Sequence, residues 1–304
     1  MSTNVELRYA DWRDYYELTK PKVVMLIVFT AVVGMFLSVP GWPGIDALLF
    51  GTLGIGLAAS SAAVFNHVLD ARIDIHMLRT KSRPLPEGRL SETKALQFAG
   101  VLGVVSMLIL WFLVNPLTAV LTFGSLIGYA VVYTVFLKRA TPQNIVIGGA
   151  AGAAPPVLGW AAVTGELHSD ALLLFLIIFV WTPPHFWALA IARKDEYAKV
   201  GIPMLPVTHG EAFTRLNILL YTILLLVISI MPYLTGMSGL IYLLTALGTG
   251  GWFLWLTVEM YRRPDDTGLP MRTFNYSITY LAALFAAFLI DHYLTIRLSF
   301  EIVR

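Results

Sequence analysis

Residues 46–74 read DALLFGTLGIGLAASSAAVFNHVLDARID. From 47 to 65 there is no charged side chain. A run of that length and character crosses a bilayer as a helix. It then runs without a turn signal into Asn66-His67-Val68-Leu69-Asp70-Ala71-Arg72-Ile73-Asp74. Asn66, Asp70 and Asp74 stand four apart, so a helix carries all three on one face as neighbours. Two like charges at that spacing repel, more so at a membrane boundary, and a bound cation reverses the interaction. Mg²⁺ suits such a site because it takes one or two carboxylates and completes its shell with waters and substrate phosphates.

The rest of the chain repeats the first half of this pattern. Of 304 residues, 57% are hydrophobic and 13% charged, against about 25% charged in a soluble domain. Nine apolar segments have spanning length: 23–39, 46–66, 95–114, 117–137, 143–163, 170–191, 215–234, 238–259 and 274–296. They predict an all-α polytopic membrane protein forming one domain over residues 1–304. With the N-terminus in the cytoplasm, 19 of the 21 Lys and Arg fall on that side and only Arg297 and Arg304 on the other. That puts the C-terminus outside. The first 22 residues have no apolar core and are mixed in charge, which excludes a secretory or mitochondrial leader and makes a bacterial inner membrane the simplest compartment. The absence of cysteine removes thiolate nucleophiles and Cys-ligated metals. Nothing points to a nucleic-acid partner; the bilayer is the evident one.

Beside the acids, Arg79-Thr80-Lys81-Ser82-Arg83-Pro84 brings three bases and two hydroxyls. Metal and cations together are what a diphosphate leaving group needs as its C–O bond breaks. The positive-inside rule alone also explains basic loops and suffices for Arg89 and Lys94. A second polar loop, Arg193-Lys194-Asp195-Glu196-Tyr197-Ala198-Lys199, lies on the same membrane side. Asp195 can add a metal contact, and Lys194, Lys199 and Tyr197 can touch phosphate oxygens; the loop also reads as an ordinary charged turn. Within the sixth span, Trp181-Thr182-Pro183-Pro184-His185-Phe186-Trp187 should break the helix. An imidazole at that depth serves as a haem-iron ligand, a proton-transfer group or a hydrogen-bonded packing residue. Gly148 to Ala154 reads as a close helix–helix contact.

Taken together, four stretches resemble the UbiA superfamily of membrane prenyltransferases. They are Leu18-Thr19-Lys20-Pro21-Lys22, Asn66 to Asp74 running on to Pro86, Thr182 to Trp187, and Gly201-Ile202-Pro203-Met204-Leu205-Pro206-Val207. The third and fourth are similar to the branch of that superfamily that farnesylates haem. The resemblance implies nine helices around a central cavity and a Mg²⁺- or Mn²⁺-assisted ionisation of farnesyl diphosphate. A vinyl group of haem B then attacks the allylic cation and water captures the result, giving haem O and diphosphate. The product would pass to haem A synthase or a terminal oxidase. On this reading Asn66, Asp70 and Asp74 are catalytic, with Asp70, Asp74 and Asp195 at metal. Lys22, Arg79, Lys81, Arg83, Lys194 and Tyr197 hold diphosphate, and His185 and Trp187 hold haem. The alternative is a related enzyme with an aromatic, quinone-pathway acceptor. One departure stands out: where the superfamily has a second Asp-x-x-x-Asp, this chain has Arg193 and Tyr197 with Asp195 between.

Overall fold

A computed structural model describes residues 11–77 and 80–294. Among these the chain is helical throughout: α1 (Trp12–Leu18), α2 (Pro21–Leu37), α3 (Ile45–Asp74), α4 (Glu92–Leu113), α5 (Pro116–Ala140), α6 (Asn144–Thr164), α7 (Ser169–Ala192), α8 (Lys194–Lys199), α9 (Leu205–Thr208), α10 (Gly210–Leu234), α11 (Leu240–Arg262) and α12 (Leu269–Leu294). Eight helices are long and apolar enough to span, and α2 makes a ninth when taken with α1, from which it bends by 53°. Eight of the nine expected spans fall on these eight helices, and the first, 23–39, falls on α2.

The boundaries follow local chemistry. Asp11 and Asp14 form a reciprocal capping box that starts α1. Pro21 and Pro116 sit at the first positions of α2 and α5, where a missing N–H costs nothing. Asn115 caps α5 through the Thr118 N–H at 2.9 Å and donates to the Ala161 carbonyl at 2.8 Å, fastening α5 to α6. At Gly159 a Cβ would come within 1.9 Å of the Ala31 carbonyl oxygen, so α6 and α2 meet backbone to backbone. The expected break at Pro183-Pro184 does not occur: both lie inside the continuous α7 and both are buried. Neighbouring helices enclose both prolines and hold the helix through the missing donors, as they do in membranes.

Long-range contacts sort the connections into two ends. At one, Lys20, Asn66, Asp70, Asp74, Arg83 and Lys138 join the start of α2, the last turns of α3, the 75–91 loop and the end of α5. At the other, Asp291 of α12 accepts from Gly239, Ile241 and Tyr242 at the start of α11, and His292 meets the Val39 carbonyl at 3.0 Å. Every Lys and Arg among the described residues is at the first end. Between the ends, side chains such as Val101, Leu108, Phe112 and Phe123 face outward, an exposure suited to lipid rather than water.

Candidate diphosphate and acceptor site

Helix α3 has 30 residues, or about 45 Å at 1.5 Å per residue, against a hydrocarbon core of about 30 Å. Its final turns therefore project to the headgroup level, and they carry the acidic face. Asn66, Asp70 and Asp74 are each about 5% exposed. The Asn66 amide donates to Asp70 Oδ2 at 2.9 Å and to Thr134 Oγ1 at 3.3 Å, and its Oδ1 accepts from Lys20. Lys138 pairs with Asp70 Oδ2 at 2.6 Å and Arg83 with Asp74 Oδ2 at 2.6 Å. Three cations thus converge on three anchoring side chains. Among the described residues the Oδ1 atom of neither aspartate accepts a hydrogen bond.

Two of these cations, Lys20 and Lys138, lie outside the expected site residues. Lys20 reaches Asn66 because its backbone is left-handed (φ 51°) at the α1–α2 bend. Lys138 arrives by way of a π-helical stretch, Gly128–Leu137, inside α5. An i→i+5 ladder takes more than four residues per turn, so Tyr129, Tyr133, Thr134 and Lys138 form one stripe toward the acids. Thr134 Oγ1 bonds the Tyr129 carbonyl five residues back at 2.9 Å, and the Tyr129 and Tyr133 rings stack at 5.5 Å. A Cβ on Gly148 would meet the Tyr133 ring at 2.2 Å. The small-residue stretch of α6 is therefore the close helix contact expected, and it lets that ring lie flat.

The expected residues divide. Arg83 is in the site, and the loop bearing it is fixed by Thr80 Oγ1 on the Asp74 carbonyl at 3.0 Å. Arg89, which charge topology alone seemed to explain, clasps that loop to α1: it pairs with Asp14, with Glu87 at 2.8 Å, and with the Ser82 carbonyl at 2.9 Å. Lys22 and Lys81 are exposed and pair with neither Asp70 nor Asp74. Lys194 instead meets Glu211 at 3.3 Å. Arg79 lies outside the described residues, as do Arg297 and Arg304. Asp195 is exposed, and no group of three or more acidic or imidazole side chains assembles among the described residues. Arg193 turns to Glu196 at 2.6 Å, while Tyr197 is buried. The second loop therefore packs its tyrosine into a cluster with Met77, Ile145 and Met204 and assembles no second carboxylate set among the described residues.

About two turns in from the end of α7, His185 is 7% exposed. Its ring is sandwiched between Trp181 at 4.2 Å and Phe274 at 4.5 Å, with the edge of Phe186 at 4.8 Å. Trp187 is not available to stack on a ligand: it is 1% exposed and packs edge-on to Tyr221 at 5.4 Å. Helical spacing explains the exchange, since Trp181 and His185, four apart, share a face that Trp187 does not.

The arrangement has counterparts. The pattern of the UbiA prenyltransferase family matches residues 27–291. A protoheme IX farnesyltransferase of Nitrosococcus oceani is 63% identical over 284 residues, covering 93% of this chain and 95% of that protein. One from Methylococcus capsulatus is 62% identical, covering 94% and 95%. Among solved structures, a chain from work on digeranylgeranylglyceryl phosphate synthase in membranes superposes with a TM-score of 0.78 at 18% identity, covering 92% of this chain and 98% of its own. A UbiA homolog from Archaeoglobus fulgidus, bound to DMAPP and Mg²⁺, gives 0.68 at 17% identity, covering 90% and 99%. At these identities the structures establish a shared fold, while the family pattern and the sequence relatives agree over nearly the whole bundle. The chain belongs to the UbiA prenyltransferase family.

Proposed function

We propose that this protein transfers a farnesyl group from farnesyl diphosphate to a vinyl group of haem B, with addition of water, giving haem O and diphosphate. The observation that carries the first half is the pair Asp70–Lys138 and Asp74–Arg83. Each buried carboxylate holds a cationic side chain that can transfer to a phosphate oxygen while the carboxylate turns to a metal. The second half rests on the relatives named protoheme IX farnesyltransferase at 62–63% identity.

The donor set fits Mg²⁺ or Mn²⁺. Two hard carboxylates one turn apart, each with an oxygen unengaged among the described residues, leave the remaining positions to phosphate and water. When bound, the ion supplies charge stabilisation to the departing diphosphate. Lys20, Arg83 and Lys138 add to that stabilisation and orient the diphosphate, and the Asn66 amide fixes the geometry of Asp70. Tyr129, Tyr133 and Tyr197 wall the site and exclude water from the allylic carbon until the acceptor is in place.

The chemistry balances as follows. The C1–O bond breaks with its electron pair leaving on diphosphate. The vinyl π pair forms the new C–C bond, and water adds to the resulting cation and loses a proton. The Tyr129 and Tyr133 phenols are groups that can pass that proton on. His185, held between two rings, is the proposed axial ligand that fixes the macrocycle beside the allylic carbon.

By the positive-inside rule the basic end, and with it the N-terminus and the diphosphate site, is cytoplasmic, and the C-terminus external. The membrane is a bacterial inner membrane, and a haem A synthase or terminal oxidase receives the product. Incubation of the purified protein with labelled farnesyl diphosphate, haem B and Mg²⁺ tests the reading. Label should appear in a haem product whose mass has grown by one farnesyl group and one hydroxyl. Label in a quinone-pathway aromatic acceptor, with none in haem, would overturn it.

A further inference from the structure

Ser277 of α12 is fully buried and makes two short contacts through one hydroxyl: Oγ lies 2.6 Å from the Phe274 carbonyl oxygen and 2.6 Å from His185 Nδ1. A carbonyl oxygen only accepts, and a serine hydroxyl has a single proton. If that proton went to His185, two oxygen lone pairs would face each other at 2.6 Å. The hydroxyl therefore donates to Phe274, one turn back on its own helix, and accepts from Nδ1–H. The same turn is locked from the other side: Trp181 Nε1 donates to the Ser277 carbonyl at 2.8 Å while its ring stacks on His185.

We infer that Ser277 is a positioning residue that fixes His185 in its Nδ1–H tautomer and so presents the Nε2 lone pair for coordination. Among the described residues nothing hydrogen-bonds Nε2. An imidazole held this way has the two properties a metal ligand needs, a set ring plane and an unprotonated nitrogen. The acceptor on Nδ1–H also makes Nε2 more basic. The ligand it selects is the iron of a flat macrocycle. This inference rests on the reading of His185 as the haem ligand.

The test separates the two. Haem B is titrated into purified wild type and into Ser277→Ala, Ser277→Thr and His185→Ala, with affinity read from the Soret band. The iron–imidazole stretching band of the ferrous form is recorded by resonance Raman. Ser277→Ala should weaken haem binding about tenfold, the lower end for loss of such a partner, and move the stretching band to lower frequency. The KM for farnesyl diphosphate should be unchanged. Ser277→Thr, which keeps the hydroxyl, should restore both. Should the alanine variant fail to fold, Ser277→Cys, a weaker acceptor of similar size, should show the same shifts in smaller degree. An unmoved band and affinity in Ser277→Ala or Ser277→Cys, with His185→Ala disrupting both, would overturn the role of Ser277 alone. A wild-type Soret band and affinity in His185→Ala would overturn the reading beneath it.

Discussion

Both ends of the bundle bury aspartate, and they satisfy it in opposite ways. At the end that has no Lys or Arg among the described residues, Asp291 is fully buried and accepts from the backbone N–H groups of Gly239, Ile241 and Tyr242. Those donors are the unpaired first turn of α11, so the carboxylate acts as a cap supplied from another helix and meets the positive end of the helix dipole. At the charged end Asp70 and Asp74 are held by Lys138 and Arg83. Backbone donors are fixed to the fold, whereas a lysine or arginine head can swing several ångströms on its stem. One acid is therefore committed to structure. The other two are held in a state that an incoming diphosphate and metal can take apart. The three aspartates are alike in burial; the mobility of the donors separates a cap from the proposed reaction site.

The sharpest way to break this comparison is to neutralise each acid. Asp70→Asn and Asp74→Asn should each lower turnover by roughly 10³-fold, the equivalent of about 4 kcal/mol of leaving-group stabilisation. Melting of the detergent-solubilised protein should stay close to wild type. Turnover within tenfold of wild type in either variant would return these residues to the class of Asp291. Next in size, Lys138→Met keeps the stem and removes the charge, and kcat/KM for farnesyl diphosphate should fall about 30-fold, or about 2 kcal/mol. Most of that change belongs in KM, so an unchanged KM would mean that Lys138 stays on Asp70 throughout. The smallest effect on rate belongs to Asp291→Ala. It should cost about 2 kcal/mol of stability through the lost cap, while each folded molecule turns over at the wild-type rate. A rate defect without a melting shift would contradict the structural assignment.

Much of this was legible in the chain. The apolar runs, the clustering of Lys and Arg, and the four-residue spacing of Asn66, Asp70 and Asp74 depend only on local periodicity and composition; eight of the runs are helices of spanning length, the described Lys and Arg lie at one end, and the three side chains share a helix face. The failures share a cause. Lys22 looked as good as Lys20 because only the left-handed bend decides which amine falls over Asn66. Lys138 stands 68 residues from Asp70, and the π register that aligns it with Tyr129 and Tyr133 leaves no periodic mark in an apolar run. Pro183-Pro184 looked like a break because sequence shows the missing donors but not the packing that compensates for them. Trp187 looked like a ligand wall beside His185, yet residues two apart on a helix point about 200° apart, to nearly opposite faces.

The bend at Lys20 has a thermodynamic side. A left-handed conformation costs a residue with a Cβ about 1–2 kcal/mol, and glycine almost nothing. Glycine at position 20 would turn the same corner with less strain and would leave Asn66 without its ammonium partner. The bundle is thus less stable than its own backbone path permits, by an amount comparable to a tenfold change in the folding equilibrium. That deficit is localised in the residue that sets an ammonium on Asn66.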